Sequence, residues 1–202
     1  MGIDVPAGGK ARRTYENLLE AIRSEIAATG SFTAERAAAR GGSSLATFYT
    51  YFPSKEDALT AAFARALDRL AAWVEEELRI ERLLELGLAK FCADFVRGCL
   101  GFFAEESPVF RLALSGLSES RDLRVLYRDS EDRVFQLYHR FIELGQAAGK
   151  LREGDPHTMA RAMLVVTQGF NNPTLLALDP ADPLHPELRD VLVRLLAPVS
   201  AA

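Results

Sequence analysis

The stretch from Gly30 to Pro53 constrains this chain most, because its start and stop signals admit only short helices. Thr33 is a good N-cap, and Ala34 to Arg40 is rich in the strongest helix former. Gly41-Gly42 stops that helix after about two turns. Ser43 or Ser44 can cap the next one, Leu45 to Tyr51, with Pro53 just past its end. Upstream, Tyr15, Leu18, Leu19, Ile22 and Ile26 follow helical spacing until Gly30. Three short helices, the second pair joined by a tight glycine turn, make a helix-turn-helix module. In such a module the second member of that pair enters the DNA major groove. Gly-linked short helices also occur in many helical proteins that bind no DNA, so periodicity alone leaves the function open.

The remainder reads as helix throughout. Ser54 caps a new helix, Asp57 completes an approximate capping box and Glu56 sits favourably in the first turn. That helix runs to about Arg79 and presents Leu59, Phe63, Leu67, Leu70 and Val74 along one side, so the domain boundary falls within a helix. Residues 82 to 105 form an apolar helix, and Pro108 is expected to restart a shorter one near 108 to 116. A long helix follows over 119 to 148, another begins at Asp155-Pro156, and Pro186 opens the last. The expected fold is all-α with about nine helices: a disordered arm over 1 to 11, a helix-turn-helix domain over 12 to 58 with its motif at 33 to 52, and a helical bundle over 59 to 202.

Charge gives weak guidance. The chain carries a net −4. Residues 10 to 55 hold seven basic side chains against four acidic ones, a surplus of three, which leaves −7 for the rest. The asymmetry has the sign a nucleic-acid reader needs, but it is modest. No apolar run approaches the roughly 18 residues of a membrane span, and the N-terminus lacks a signal-peptide core, so a cytoplasmic protein is expected. Cys92 and Cys99 lie two helical turns and about 10 Å apart, too far for a disulfide within one helix, and read as buried thiols. His139, His157 and His185 are scattered without ligand spacing, so neither a metal nor a cofactor is expected. No nucleophile–base pair, metal signature or phosphate loop supports an enzyme. A helical interaction protein reusing the module for protein contact is the remaining rival.

At residues 30 to 59, GSFTAERAAARGGSSLATFYTYFPSKEDAL, the sequence resembles the tetracycline-repressor (TetR) family of regulators. The matching elements are Gly30, Thr33, Ala38, Gly42 with Ser44, then Thr47, Phe48 and Tyr49, and the run Phe52, Pro53, Ser54, Lys55, Glu56 with Leu59. The resemblance implies phosphate contacts from Thr33, Ser44, Tyr49, Tyr51 and Lys55. It places Leu45, Ala46, Thr47 and Thr50 nearest the base edges, with Ser43 beside them in the turn. Phe48 and Phe52 read as core. Arg12, Arg13 and Arg40 are possible backbone contacts. Ala37, Gly41, Ser43 and Ala46 depart from the family pattern, and the first three suggest a lightly packed second helix.

The resemblance further implies that the bundle over 59 to 202 serves ligand binding and dimerisation, in a repressor that binds a near-palindromic operator as a homodimer through its last two helices and is released by a small effector. The final helix fits: Leu188, Val191, Leu192, Leu195 and Leu196 form a stripe that needs a partner surface, either a second subunit or this chain's own core. The aromatic content of the bundle leans toward an apolar or aromatic effector. Phe91, Phe95, Phe102, Phe110, Tyr127, Tyr138 and Met163 are the candidate lining, with His139, Gln168 and Asn171 as candidate orienting groups.

Overall fold

A computed structural model describes residues 6, 8 to 179 and 182 to 198. Ten helices account for the secondary structure, with no strand among the described residues: α1 Gly9–Thr29, α2 Ala34–Arg40, α3 Leu45–Tyr51, α4 Lys55–Glu77, α5 Ile80–Leu86, α6 Leu88–Ser115, α7 Arg121–Ala147, α8 Pro156–Gln168, α9 Pro173–Leu176 and α10 Leu184–Leu196. Among these residues no helix is long and apolar enough to cross a membrane. The expected arm lies largely outside the described residues, and α1 starts at Gly9.

The local chemistry behind most boundaries is visible. Gly30 closes α1 in the left-handed region at φ +74°, its N–H bonded to the Ile26 carbonyl. Thr33, Ser44 and Asp155 accept backbone N–H groups as N-caps of α2, α3 and α8. At the head of α4 the Asp57 N–H donates to Ser54 Oγ, which donates in turn to the Asp57 carboxylate. Several boundaries differ from expectation, and α10 starts at Leu184, two residues before Pro186. Gly87, at φ +73°, separates α5 from α6. Pro108 does not restart a helix; α6 runs through it. Proline removes one backbone bond there, but Val109, Phe110 and Ala113 are all buried, and their packing outweighs that single loss.

The chain divides into two compact units, and the division falls inside α4, α6 and α7. The first holds residues up to Arg69 together with Glu106–Arg128. Its core is built on Leu18, Ile22, Ile26, Phe32, Phe48 and Phe52, each at most 1% exposed. Phe63 meets Phe110 edge-on at 5.3 Å and stacks on Tyr127 at 6.3 Å, while Arg69 pairs with the buried Glu106. The second unit holds Leu70–Glu105 and the residues from Asp129 onward. Trp73 stacks on Phe95 at 5.4 Å and on Phe102 at 6.0 Å, and Phe91 stacks on Phe141 at 5.0 Å. Helix α10 packs on α8 with Leu192 and Leu196 fully buried, and Arg152 ties its end by donating to the Leu195 carbonyl at 2.7 Å.

Candidate nucleic-acid interface and a hollow in the second unit

In the first unit, α1 supplies the platform on which α2 and α3 are set. Ala34, Ala37 and Ala38 of α2 are at most 5% exposed, and a Cβ added at Gly41 would stand 3.1 Å from the Leu18 side chain. The second helix is therefore closely packed, contrary to the expectation from its small residues: missing side-chain volume is taken up by backbone approach. The two turn glycines serve different ends. Gly41 permits that approach, whereas Gly42 supplies the left-handed φ of +64° and lets the Ser43 N–H reach the Ala38 carbonyl at 2.9 Å.

A buried carboxylate fastens the same pair of helices. Glu25, 3% exposed on α1, is met by Arg40 at 2.6 Å and by Arg36 on its other oxygen. The hydrogen bond from Arg40 holds its carboxyl below the usual carboxylate range, with the charge of Arg36 adding to the effect. A carboxylate whose folded value is depressed stabilises the fold above its ordinary titration range and loses that contribution as pH falls through its folded value. Glu25→Gln is therefore expected to lower stability most near neutral pH. The gap from the parent should close as acid protonates Glu25, which equilibrium unfolding at a series of pH values measures. A gap independent of pH would show that the charge of Glu25 does not matter. Arg36 and Arg40 are thus engaged by α1, and Arg12 lies 3.9 Å from Glu16, whereas Lys10 and Arg13 form no ion pair among the described residues.

All ten residues singled out for nucleic acid lie on the outer side of this module. Thr33, Ser44, Leu45, Ala46, Tyr49, Thr50 and Lys55 are exposed; Ser43, Thr47 and Tyr51 are half-buried. Phe48 and Phe52 turn inward, 5.2 Å apart edge-on, and Tyr15 closes over Phe52 at 5.4 Å. Several polar ends already have partners. Thr33 accepts the Arg36 N–H, Ser44 Oγ shares a hydrogen bond with Thr47 Oγ1 at 2.9 Å, and the Tyr51 hydroxyl donates to the Ala11 carbonyl at 3.1 Å. The Lys55 ammonium lies 5.3 Å over the Phe32 ring and remains exposed. The arrangement is a short exposed helix flanked by hydroxyls, a phenol and an ammonium, the groups that position proteins on phosphates.

No family model and no curated protein matches the sequence. Solved structures do resemble this one. A chain from Mesorhizobium loti MAFF303099 described as a TetR-family transcriptional regulator aligns with a TM-score of 0.76 at 14% identity, over 94% of this chain and 100% of that one. A TetR-family regulator from Rhodococcus sp. gives 0.71 at 18% identity, over 92% and 99%. A transcriptional regulator from Saccharomonospora viridis in complex with choline gives 0.67 at 22%, over 94% and 98%. The fold is that of TetR-family regulators.

In this TetR-type fold the second unit carries a hollow of about 530 Å³ between α6, α9 and α10. Its walls are mainly aliphatic, with Val96, Leu100, Leu175 and Leu176, and Arg97, His185 and Arg189 add polar groups. Arg97 is paired with Asp94 and Arg189 with Asp190. None of the ten residues expected to hold a ligand lines it. Phe91, Phe95, Tyr138 and Met163 are packed core, at most 2% exposed, and the Tyr138 hydroxyl is bonded to Thr167 Oγ1 at 2.9 Å. Burial pushes the Tyr138 hydroxyl well above its ordinary range. Phe102 stacks on Trp73, while Phe110 and Tyr127 pack with Phe63 in the first unit. His139 lies 3.4 Å from Glu143 and beside His157; Gln168 is exposed and donates to Glu131 at 2.6 Å. Asn171 has a buried side-chain oxygen with no hydrogen-bond partner, while Asn172 caps α9. Cys92 and Cys99 are buried free thiols, and burial pushes the Cys92 thiol up to about 12. The sequence does hold a signal for Glu25, which occupies the buried stripe three residues after Ile22 and faces two arginines four apart.

Proposed function

We propose that this chain is a ligand-responsive DNA-binding transcriptional regulator, a repressor that holds a near-palindromic operator as a homodimer and releases it when an effector binds. The observation that carries the reading is the exposed set Thr33, Ser44, Tyr49 and Lys55 around a short exposed helix that buries Phe48. Two such helices in a dimer would meet successive major grooves about 34 Å apart. Dimerisation is supported by α10, where Leu192 and Leu196 enter the core while Leu184 and Val191 are exposed and Leu188 and Leu195 half-buried. These four repeat at steps of four, three and four, the spacing of a seam for a second helix.

The hollow in the second unit is the proposed effector site. Its lining contains no Phe, Tyr or Trp, so it lacks the aromatic cage that suits a quaternary ammonium such as the choline bound by the Saccharomonospora viridis protein. An effector with an aliphatic body and a polar end fits the walls and the Arg97, His185 and Arg189 groups. A ligand that prefers one conformer shifts the population of DNA-competent dimers by its differential affinity.

Gel-shift and footprinting on DNA from the regulator's own upstream region, over a salt series, test the reading. A near-palindromic protected site is expected, with affinity falling steeply as salt rises. Lys55→Ala should weaken binding on all sequences alike and reduce the salt slope by about one. Indifference to every genomic fragment, with and without candidate effectors, would overturn the proposal.

A further inference from the structure

We propose that α3 reads its half-site chiefly through thymine 5-methyl groups, so that the operator is specified by methyl contacts and not by bidentate hydrogen bonds. The inference rests on the DNA-binding function proposed above and names the chemistry of its recognition step.

The strong base contacts of the major groove need particular side chains: Arg or Lys on guanine, Asn or Gln on adenine, Glu or Asp on cytosine. Helix α3, LATFYTY, contains none of them. Its hydroxyls are largely committed. Thr50 Oγ1 donates to the Ala46 carbonyl at 3.0 Å, which holds the hydroxyl against the helix backbone and leaves the γ-methyl to be offered outward. Thr47 Oγ1 is bonded to the Ser44 cap, and the Tyr51 hydroxyl to the Ala11 carbonyl. Phe48 is wholly buried.

What remains on the outer side is Leu45, Ala46, Tyr49 and Thr50, at positions i, i+1, i+4 and i+5 and therefore on one face. Leu45 is 39% exposed and Tyr49 46%, so two large apolar side chains stand in water where this fold would meet DNA. The thymine C5-methyl is the apolar feature that base edges present in the major groove. Leu45, Ala46 and the Thr50 methyl match it, and the Tyr49 hydroxyl is the one polar end of the face without an internal hydrogen bond among the described residues.

The test uses the full chain. Duplexes selected from a random library define the preferred site, which is then synthesised with each half-site thymine replaced singly by deoxyuridine, removing only the methyl. Affinity should fall about fourfold at each contacted position, the loss expected for one unburied methyl. Thr50→Ser should erase the thymine preference at one position and Thr50→Val should retain it, which separates methyl reading from hydroxyl reading within one folded helix. Tight, sequence-specific binding that ignores every deoxyuridine replacement, or selected half-sites without thymine, would overturn this inference and leave the DNA-binding function standing. Failure to bind any duplex would overturn both.

Discussion

Phe48→Ala is expected to remove about 3 to 5 kcal/mol of stability and, with it, the proposed operator binding. Phe48 is fully buried, with Phe52 edge-on at 5.2 Å. Its own helix has seven residues, too few to persist without tertiary support. Domain stability is typically only about 5 to 15 kcal/mol, so one such loss unfolds a large share of molecules. Amide exchange should show the collapse of protection in α1 to α3, with the denaturation midpoint falling in parallel. Fluorescence is the wrong probe, because the single tryptophan, Trp73, belongs to the other unit. Thr50→Val, on the exposed side of the same helix, should change stability by no more than about 0.5 kcal/mol. A Phe48→Ala protein that melts like its parent would mean that Phe48 is not the anchor of the module.

The contrast between Phe48 and Thr50 illustrates which parts of the structure were legible in the sequence. Caps and stops are local chemistry: Thr33, Ser44, Ser54, Asp155 and Gly30 each act through groups within a few residues, so the sequence alone places their helices. The all-α class and the aromatic core of the module follow from the same reasoning. Pro108 misleads because its local penalty is overruled by burial of Val109 and Phe110, and burial is a property of partners distant in sequence. The lightness expected of α2 failed likewise, since Ala37 and Gly41 invite the backbone of α1 closer instead of leaving space. The hollow was the least legible feature. Aromatic residues mark where apolar volume goes, and here it goes into the stacked core of Phe91, Phe95 and Phe141. A void forms where volume is missing, beside Ala93, Gly101 and Ala104, and nothing about those small residues in sequence announces it.

A second large effect is expected at the proposed subunit seam. Val165 on α8 is 67% exposed and Val191 on α10 is 44% exposed, while Leu192, one residue on, is wholly buried. Adjacent positions on one helix therefore have separable roles. The double substitution Val165→Glu and Val191→Glu adds charge where the side chains already meet water, so the isolated subunit should lose little stability. In a dimer the same carboxylates would be buried without partners, a cost the seam cannot absorb. Sedimentation should therefore find a monomer where the parent is expected to be a dimer. Operator affinity should drop by a factor on the order of 10² to 10⁴, because the second half-site no longer binds as part of one molecule. Leu192→Ala is the control of opposite character: a loss of about 2 to 5 kcal/mol from the subunit itself, with melting lowered at every protein concentration. A double variant that still sediments as a dimer and binds its operator undiminished would place the subunit contact elsewhere and leave the exposed valines without a role.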